Sequence, residues 1–134
     1  MLAYNTTNGF INLSDDCLKF NETPITHALA VIRHLNPLNY DQARVKPGND
    51  NYEETDYDLT NTKKSSGFIA QDVYEIDELK HAAIQGDDNM GTWSLNYNDI
   101  LTHAVASIKE LDKIVQTQQQ TIQALQAKVA ALEA

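Results

Sequence analysis

Residues 98–134 carry a heptad pattern, and this pattern constrains the fold more than any other feature of the sequence. The stretch contains neither Gly nor Pro, and its first residue, Asn98, is of a type that commonly caps helices. Its apolar residues recur at alternating spacings of three and four, which is the period of a coiled-coil seam. The seam positions are Leu101, Ala104, Ile108, Leu111, Val115, Gln118, Ile122, Leu125, Val129 and Leu132. The pattern therefore predicts one long coiled-coil helix.

The predicted helix is too long to be covered by the rest of its own chain. A helix over residues 98–134 spans about 55 Å, whereas a domain of about 100 residues has a radius of gyration of about 13 Å. We therefore expect an oligomer in which the seam packs against other copies. The β-branched and leucine residues along the seam favour a coiled coil of two helices. Gln118, a polar residue in the seam, would fix the register of the helices at some cost in stability.

The charge and the cysteine content exclude several classes of function. The 134 residues include 10 Lys and Arg against 19 Asp and Glu, a net charge of −9, so we expect no binding to nucleic acid or to an anionic membrane. A single cysteine, Cys17, excludes an internal disulfide and a cysteine-based zinc site. No apolar run is long enough to span a membrane, and residues 1–10 lack the pattern of a secretory leader. Without a phosphate-binding loop or a zinc-type ligand pair, we expect no cofactor and no metal.

A helix is predicted between two prolines. Thr23 and Pro24 resemble an N-cap followed by proline at the first helical position. Asn36–Pro37 would end the helix, because a residue before proline avoids the α region. The apolar residues expected on its inner face are Ile25, Ala28, Leu29, Ile32 and Leu35.

The middle of the chain predicts short elements. Residues 50–58 hold five carboxylates and no cation between turn-forming residues at 46–49 and 62–67, which predicts a polar loop or a hairpin with a polar tip. The spacing of these carboxylates fits no EF-hand calcium loop.

Three further short elements complete the predicted fold. Residues 67–71 are predicted as a buried strand, and residues 92–97 as a half-buried strand. Between them, residues 72–81 are expected to form a helical turn with Val73, Ile76 and Leu79 facing inward. The fold class is therefore α+β: a small mixed domain of short strands and helices, followed by the long helix.

Ser14 and Lys19 are the candidate catalytic residues. A serine hydroxyl becomes a nucleophile when a lysine amine accepts its proton, and the lysine must then be uncharged for part of the time. A separation of five residues puts the two on different sides of a helix and about 17 Å apart in a strand, so a bend or a contact between chains is required. The alternative is a capping serine and a surface lysine. Cys17, which follows Asp16, is expected to be a partly buried packing residue rather than a rival nucleophile.

Four sequence blocks along the chain match one known family in type and order. They are Ser14-Asp15-x-x-Leu18-Lys19 with Asn21, Pro24-Ile25, Ala28-Leu29 and Leu35 after it, then Gly67-Phe68-Ile69-Ala70-Gln71-Asp72-Val73, Leu95-Asn96-Tyr97, and Ala106-Ser107-Ile108-Lys109-Glu110-Leu111. These blocks resemble the peptidase S74 family, the C-terminal intramolecular chaperone domains of bacteriophage tailspikes, tail fibres and neck appendages. The resemblance covers about residues 12–134.

The resemblance implies a parallel homotrimer that helps an upstream β-rich fibre segment of the same polypeptide to fold and then cuts itself away. It implies Ser14 as the nucleophile at the cleavage site and Lys19 as the base that activates it. Leu13 and Asp15 are then the neighbours of the cleavage site. The expected location is the cytoplasm of an infected bacterium during virion assembly, with the released piece absent from the mature virion.

The resemblance also implies three parts of the chain. Residues 1–13 would be the end of the parent fibre, residues 14–97 the chaperone and autoprotease domain, and residues 98–134 the trimerisation helix. Cys17 stands where the family usually has a basic residue, and Phe20 where an acidic residue is common. Neither departure affects the serine or the lysine.

Several alternatives stay open at this point. The chain could be a non-cleaving oligomerisation and binding tip that remains attached to a fibre. A membrane-tethered transcription factor of the same cleavage family ranks far lower, because no basic DNA-binding region is present. Either side of Ser14 is a candidate scissile bond, and Lys19 could act within its own chain or across a trimer.

Overall fold

A small mixed domain precedes one long helix, as the sequence predicted. The computed structural model describes residues 2–5, 9–45, 57–86 and 91–134. Within these ranges the strands are β1 (Leu2–Asn5), β2 (Gly9–Asn12), β3 (Leu38–Val45), β4 (Tyr57–Gly67), β5 (Ala83–Ile84) and β6 (Ser94–Leu95). The helices are α1 (Ala28–Ile32), α2 (Ala70–Tyr74) and α3 (Tyr97–Glu133), with 3₁₀ turns at Asp16–Leu18 and Asp77–Ala82. The α+β fold class is confirmed.

The strands pair as three antiparallel couples within the described residues: β1 with β2, β3 with β4, and β5 with β6. The longest pair runs from Leu38 opposite Gly67 to Val45 opposite Tyr57. The predicted acidic loop lies between these two strands, and its residues 50–56 fall outside the described residues. Of the two predicted alternatives, the antiparallel pairing of β3 with β4 favours the hairpin, and residues 57 and 58 already belong to β4.

The segment 62–67 is also strand rather than turn. Cross-strand polar contacts accompany this pairing: Lys64 Nζ lies 3.3 Å from Asp41 Oδ1, and Ser66 Oγ donates to Asn39 Oδ1 at 2.6 Å. Such pairs stabilise an exposed antiparallel ladder without an apolar pattern that the sequence could display.

Helix α1 is shorter than the sequence predicted and begins four residues later, at Ala28 rather than Pro24. Thr23, Pro24 and Ile25 are not helical, and the N-cap position is His27, whose φ of 57° lies in the left-handed region. The cap is supplied from α3, because Glu110 accepts hydrogen bonds from the backbone N–H groups of Ala28 and Leu29 at 2.7 and 2.8 Å. A cap that comes from 82 residues away leaves no local signal at the start of the helix.

We expect the stabilisation from Glu110 to depend on pH. The N–H groups of Leu29 and, next, Ala28 hold the pKa of this carboxyl below its usual range. Since the folded-state pKa is the lower one, the carboxylate stabilises the fold fully above the ordinary glutamate value of about 4.3, and this contribution disappears as the pH falls through the lowered pKa. Wild-type protein should therefore melt at a higher temperature than Glu110→Gln at neutral pH, and the gap should close as the pH falls below the ordinary glutamate value and through the lowered pKa of Glu110. Glu133→Gln, at the far end of α3, is the control and should melt like the wild type.

The predicted buried strand over residues 67–71 is wrong. Strand β4 ends at Gly67, and α2 begins at Ala70. Ala70 and Val73 are buried on the same side of α2, so the apolar run faces the core with helical rather than extended spacing. The predicted half-buried strand at 92–97 is reduced to the two residues of β6, because Tyr97 already begins α3.

The core lies where α1, α2, the 3₁₀ turn at Asp77–Ala82 and the start of α3 meet. The predicted inward residues Val73, Ile76 and Leu79 are buried, which confirms that part of the sequence analysis. The remaining members of the apolar cluster are Val31, Ala82, Ala83 and Ile100. Tyr74 packs edge-to-face on Trp93, with ring centroids 5.3 Å apart.

Truncation of Leu79 tests this core. Its side chain is fully buried, so we expect Leu79→Ala to lower the free energy of unfolding by about 2–5 kcal/mol, measured by denaturant titration. The matched control is Leu59→Ala on β4, where the side chain is 75% exposed and the expected change is within about 0.5 kcal/mol. An equal effect of the two substitutions would contradict the placement of the core.

Helix α3 has one face against the small domain and another face in solvent. Its N-cap is Asn96, whose side chain accepts from the N–H of Asn98 at 3.1 Å, so the predicted cap at Asn98 was two residues late. Ile100, His103 and Ser107 form the buried face. From residue 111 onwards every residue is exposed, and the helix extends well beyond the domain, as expected.

The seam residues of α3 lie on the exposed face of the isolated chain. Leu101 and Ile108 are 61% and 63% exposed, while Ala104 is half-buried. An apolar stripe of this length is compatible with a coiled coil. No helix in the described part of the chain is long and apolar enough to cross a membrane.

Candidate active site

A single 3₁₀ turn at Asp16–Leu18 brings Ser14 and Lys19 together. Asp15 caps the turn, since its Oδ1 accepts from the N–H of Cys17 at 2.8 Å. The turn closes with hydrogen bonds of 3.0 Å from the N–H of Leu18 to the Asp15 carbonyl and from the N–H of Lys19 to the Asp16 carbonyl. This is the bend that the sequence analysis required. The Asp15 carboxylate is hydrogen-bonded to the backbone of the turn.

The lysine amine reaches the serine hydroxyl directly. Lys19 Nζ lies 2.7 Å from Ser14 Oγ and 3.2 Å from the Ser14 carbonyl oxygen. As an ammonium group the lysine donates to the hydroxyl, and as a free amine it can accept the hydroxyl proton over the same distance. A separation of this size is the one that proton transfer between a nucleophile and its base requires.

The surroundings of this pair are open in the single chain. Ser14 and Lys19 are both exposed, and the apolar neighbours Leu18 and Phe20 are 60% and 81% exposed. Leu13, on the other side of Ser14, is exposed as well. A lysine acts best as a base where water is excluded or another cation is near, and the described part of one chain does not enclose the pair.

Cys17 is not the packing residue that the sequence predicted. Its thiol is free and exposed, because the short turn that holds it buries none of its residues. No group of three His, Cys, Asp or Glu side chains that could hold a metal ion occurs in the described ranges.

Glu110, which caps the helix that follows the serine–lysine segment, is a residue that sequence reasoning missed. It belongs to one of the blocks that resemble the family, but nothing in its local spacing indicates a contact with residues 28 and 29. The connector from Lys19 to α1 also contains two non-glycine residues with positive φ, Asn21 at 55° and His27 at 57°. Residues other than glycine adopt this conformation uncommonly, so the path of the connector is specific.

A serine hydroxyl held by a lysine amine is the arrangement of the serine–lysine class of hydrolases. The sequence model of the peptidase S74 family, described as chaperone of endosialidase, matches residues 14–82. This is just over half of the chain, and the protein belongs to this family of self-cleaving serine peptidases. The matched range begins at Ser14 itself and ends before α3. A search of curated proteins found no match.

Proposed function

We propose that the protein is an intramolecular chaperone that trimerises, assists the folding of a phage fibre or tailspike, and releases itself by serine–lysine autoproteolysis next to Ser14. The observation that carries this proposal is the 2.7 Å contact between Lys19 Nζ and Ser14 Oγ at the first residue of the family match. The site of action is then the cytoplasm of an infected bacterium during virion assembly.

The chemistry favours the bond between Leu13 and Ser14. An attack by Ser14 Oγ on its own carbonyl carbon would close a strained four-membered ring, whereas an attack on the Leu13 carbonyl carbon closes a five-membered ring. Lys19 takes the hydroxyl proton as the new C–O bond forms and returns it to the Ser14 nitrogen as the C–N bond breaks. Water then hydrolyses the resulting ester, which leaves a carboxylate on Leu13 and a free amine on Ser14.

The exposure of the pair supports a trimer as the active form. Since one chain leaves Ser14 and Lys19 in solvent, the enclosing surface must come from the upstream fibre or from neighbouring copies. The seam of α3 offers the means of bringing three copies together. Cleavage would then follow assembly, so an unassembled chain would stay intact.

The physical demands of fibre folding fit a device of this kind. Trimeric β-fibres depend on pairing between distant segments and separate chains, which is slow and exposes edges that aggregate. A coiled coil forms from local contacts and raises the effective concentration of the chains that it joins. Removal of the coiled coil after folding leaves the fibre kinetically stable, and the net charge of −9 on each chain helps the released piece to separate.

The mass of the released fragment tests the proposal. A longer polypeptide that carries the upstream fibre segment should yield a C-terminal piece that begins with Ser14 and has a free amine. A folded trimer that remains uncut, with Ser14 and Lys19 intact, would instead support a non-cleaving tip, the second candidate, which the open surroundings of the pair favour.

A further inference from the structure

We infer that Glu110 is a positioning residue for self-cleavage: it fastens the segment that carries Ser14 and Lys19 to the long helix, so that the helix determines where this pair lies. The inference rests on the proposed function and concerns its regulation by α3. Glu110 does not touch the reacting atoms. It acts through the backbone at residues 28 and 29.

The contact between Glu110 and α1 is bidentate. Oε1 accepts from the N–H of Ala28 at 2.7 Å and Oε2 from the N–H of Leu29 at 2.8 Å, in a partly buried setting. Both carboxylate oxygens are used, and hydrogen bonds to a charged acceptor are stronger than those between neutral groups. The N–H groups at the start of a helix have no partner within it, so the carboxylate satisfies two donors at once.

The backbone before α1 is shaped to present these donors. His27 has a φ of 57°, which turns the chain at the residue immediately before Ala28. Few residues other than glycine adopt the left-handed region, although histidine does so more often than most. This turn directs the N–H groups of Ala28 and Leu29 towards the Glu110 carboxylate.

Among the described residues, the bonds to Glu110 are the first after Lys19 that join this stretch of chain to α3. Residues 20–26 form no hydrogen bond with any described part of the chain. They are exposed, and Thr23, Pro24 and Ile25 line a groove along α3 together with Val105 and Ile108. The connector therefore lies along α3 at residues 23–25 and is joined to it at the contact with Glu110.

This geometry couples the seam to the cleavage site. Ile108 is a seam residue and also lines the groove beneath the connector, while Glu110 lies two residues further along the same helix. Alignment of the helices in an assembled trimer thus places each connector and its serine–lysine pair. Loss of Glu110 leaves the local contact between Ser14 and Lys19 intact but releases its position relative to α3.

The test is cleavage of a polypeptide that includes the upstream fibre segment, with Glu110→Ala compared to wild type at an equal amount of trimer. Misplacement of a reacting group by about 1 Å lowers rates by about 100-fold, so we expect Glu110→Ala to slow cleavage by about 10- to 100-fold. Glu110→Gln keeps one acceptor oxygen and should recover part of the rate. Glu133→Ala, at the exposed far end of α3, should be cut at the wild-type rate.

The outcomes separate this inference from the proposed function. If the wild type is cut and Glu110→Ala is cut equally fast, the positioning role is overturned while the proposed function stands. The positioning role is also overturned if the loss of cleavage rate in Glu110→Ala is proportional to its unfolded or monomeric fraction, because a purely structural role explains that result. A wild-type trimer that is never cut overturns both. Hydrogen exchange at the amides of Ala28 and Leu29 reports the loss of the contact in each variant.

Discussion

Ser14→Ala and Lys19→Ala should each abolish release of the C-terminal piece from a longer polypeptide while trimers still form. The first substitution removes the nucleophile, and the second removes the only described amine within hydrogen-bond distance of the Ser14 hydroxyl. Loss of either member of a nucleophile–base pair lowers the rate by about 1,000-fold or more. Gel electrophoresis and intact-mass measurement give the cut fraction, and light scattering gives the number of chains.

Substitutions in the same turn supply the matched controls. Lys19→Arg keeps a positive charge and its hydrogen bonds, but a guanidinium cannot give up its proton, so it should be as inactive as Lys19→Ala. Cys17→Ala changes an exposed side chain of the turn without touching the pair and should leave cleavage unchanged. Cleavage of Lys19→Ala at the wild-type rate would remove the lysine from the mechanism.

Two aspartates in the distal seam, Ile122→Asp with Leu125→Asp, should convert the oligomer to a monomer. Both side chains are about half exposed in the isolated chain and would face their counterparts in a coiled coil. Three or more carboxylates buried at one level cannot all be solvated or paired, which strongly opposes association. The measurement should be made at a chain concentration of about 10 μM, at which an oligomer with a dissociation constant of about 1 μM is still largely assembled. The measured mass should then fall from that of three chains of 15.0 kDa each to that of one chain.

The same charge placed off the seam is the control for that experiment. Gln123→Asp with Ala127→Asp adds two carboxylates at exposed positions on other faces of α3 and should leave the mass unchanged. The small domain should stay folded in both variants, because its core lies before residue 111. A mass of two chains for the wild type would favour the dimer towards which the local seam pattern leans, and a trimer that survives the seam aspartates would contradict the proposed interface.

The parts of the fold that the sequence predicted correctly depend on local periodicity. Val73, Ile76 and Leu79 are buried because their spacing places them on one side of consecutive turns, whichever helical form those turns take. The long helix needs only the unbroken heptad pattern without Gly or Pro. Each of these features is contained within a few turns of chain, so neighbouring residues suffice to indicate it.

The failures occur where a distant residue decided the local structure. Thr23 and Pro24 have the residue types of a helix start, yet the helix begins at Ala28 because Glu110 caps it there. The run after Gly67 has the composition of a buried strand, but Ala70 and Val73 meet the core as a helix. The failure at Cys17 has a local cause instead, because the short turn that carries it buries none of its residues.

At the candidate site, the sequence identified the two residues, whereas the contact between them depends on the turn that the structure shows. Ser14 and Lys19 are five residues apart, a spacing that neither a regular helix nor a strand brings into contact. The cap from Asp15 and one turn of 3₁₀ helix bring the two side chains within 2.7 Å.

By itself the sequence determined the long helix, its apolar seam and the presence of a serine and a lysine that could react, because these depend on residue type and on short-range period. The tertiary structure alone decided how the segment that carries the pair is attached to the helix. That attachment depends on hydrogen bonds from Glu110 across 81 and 82 residues of chain, and contacts between residues so far apart leave no periodic trace in the sequence.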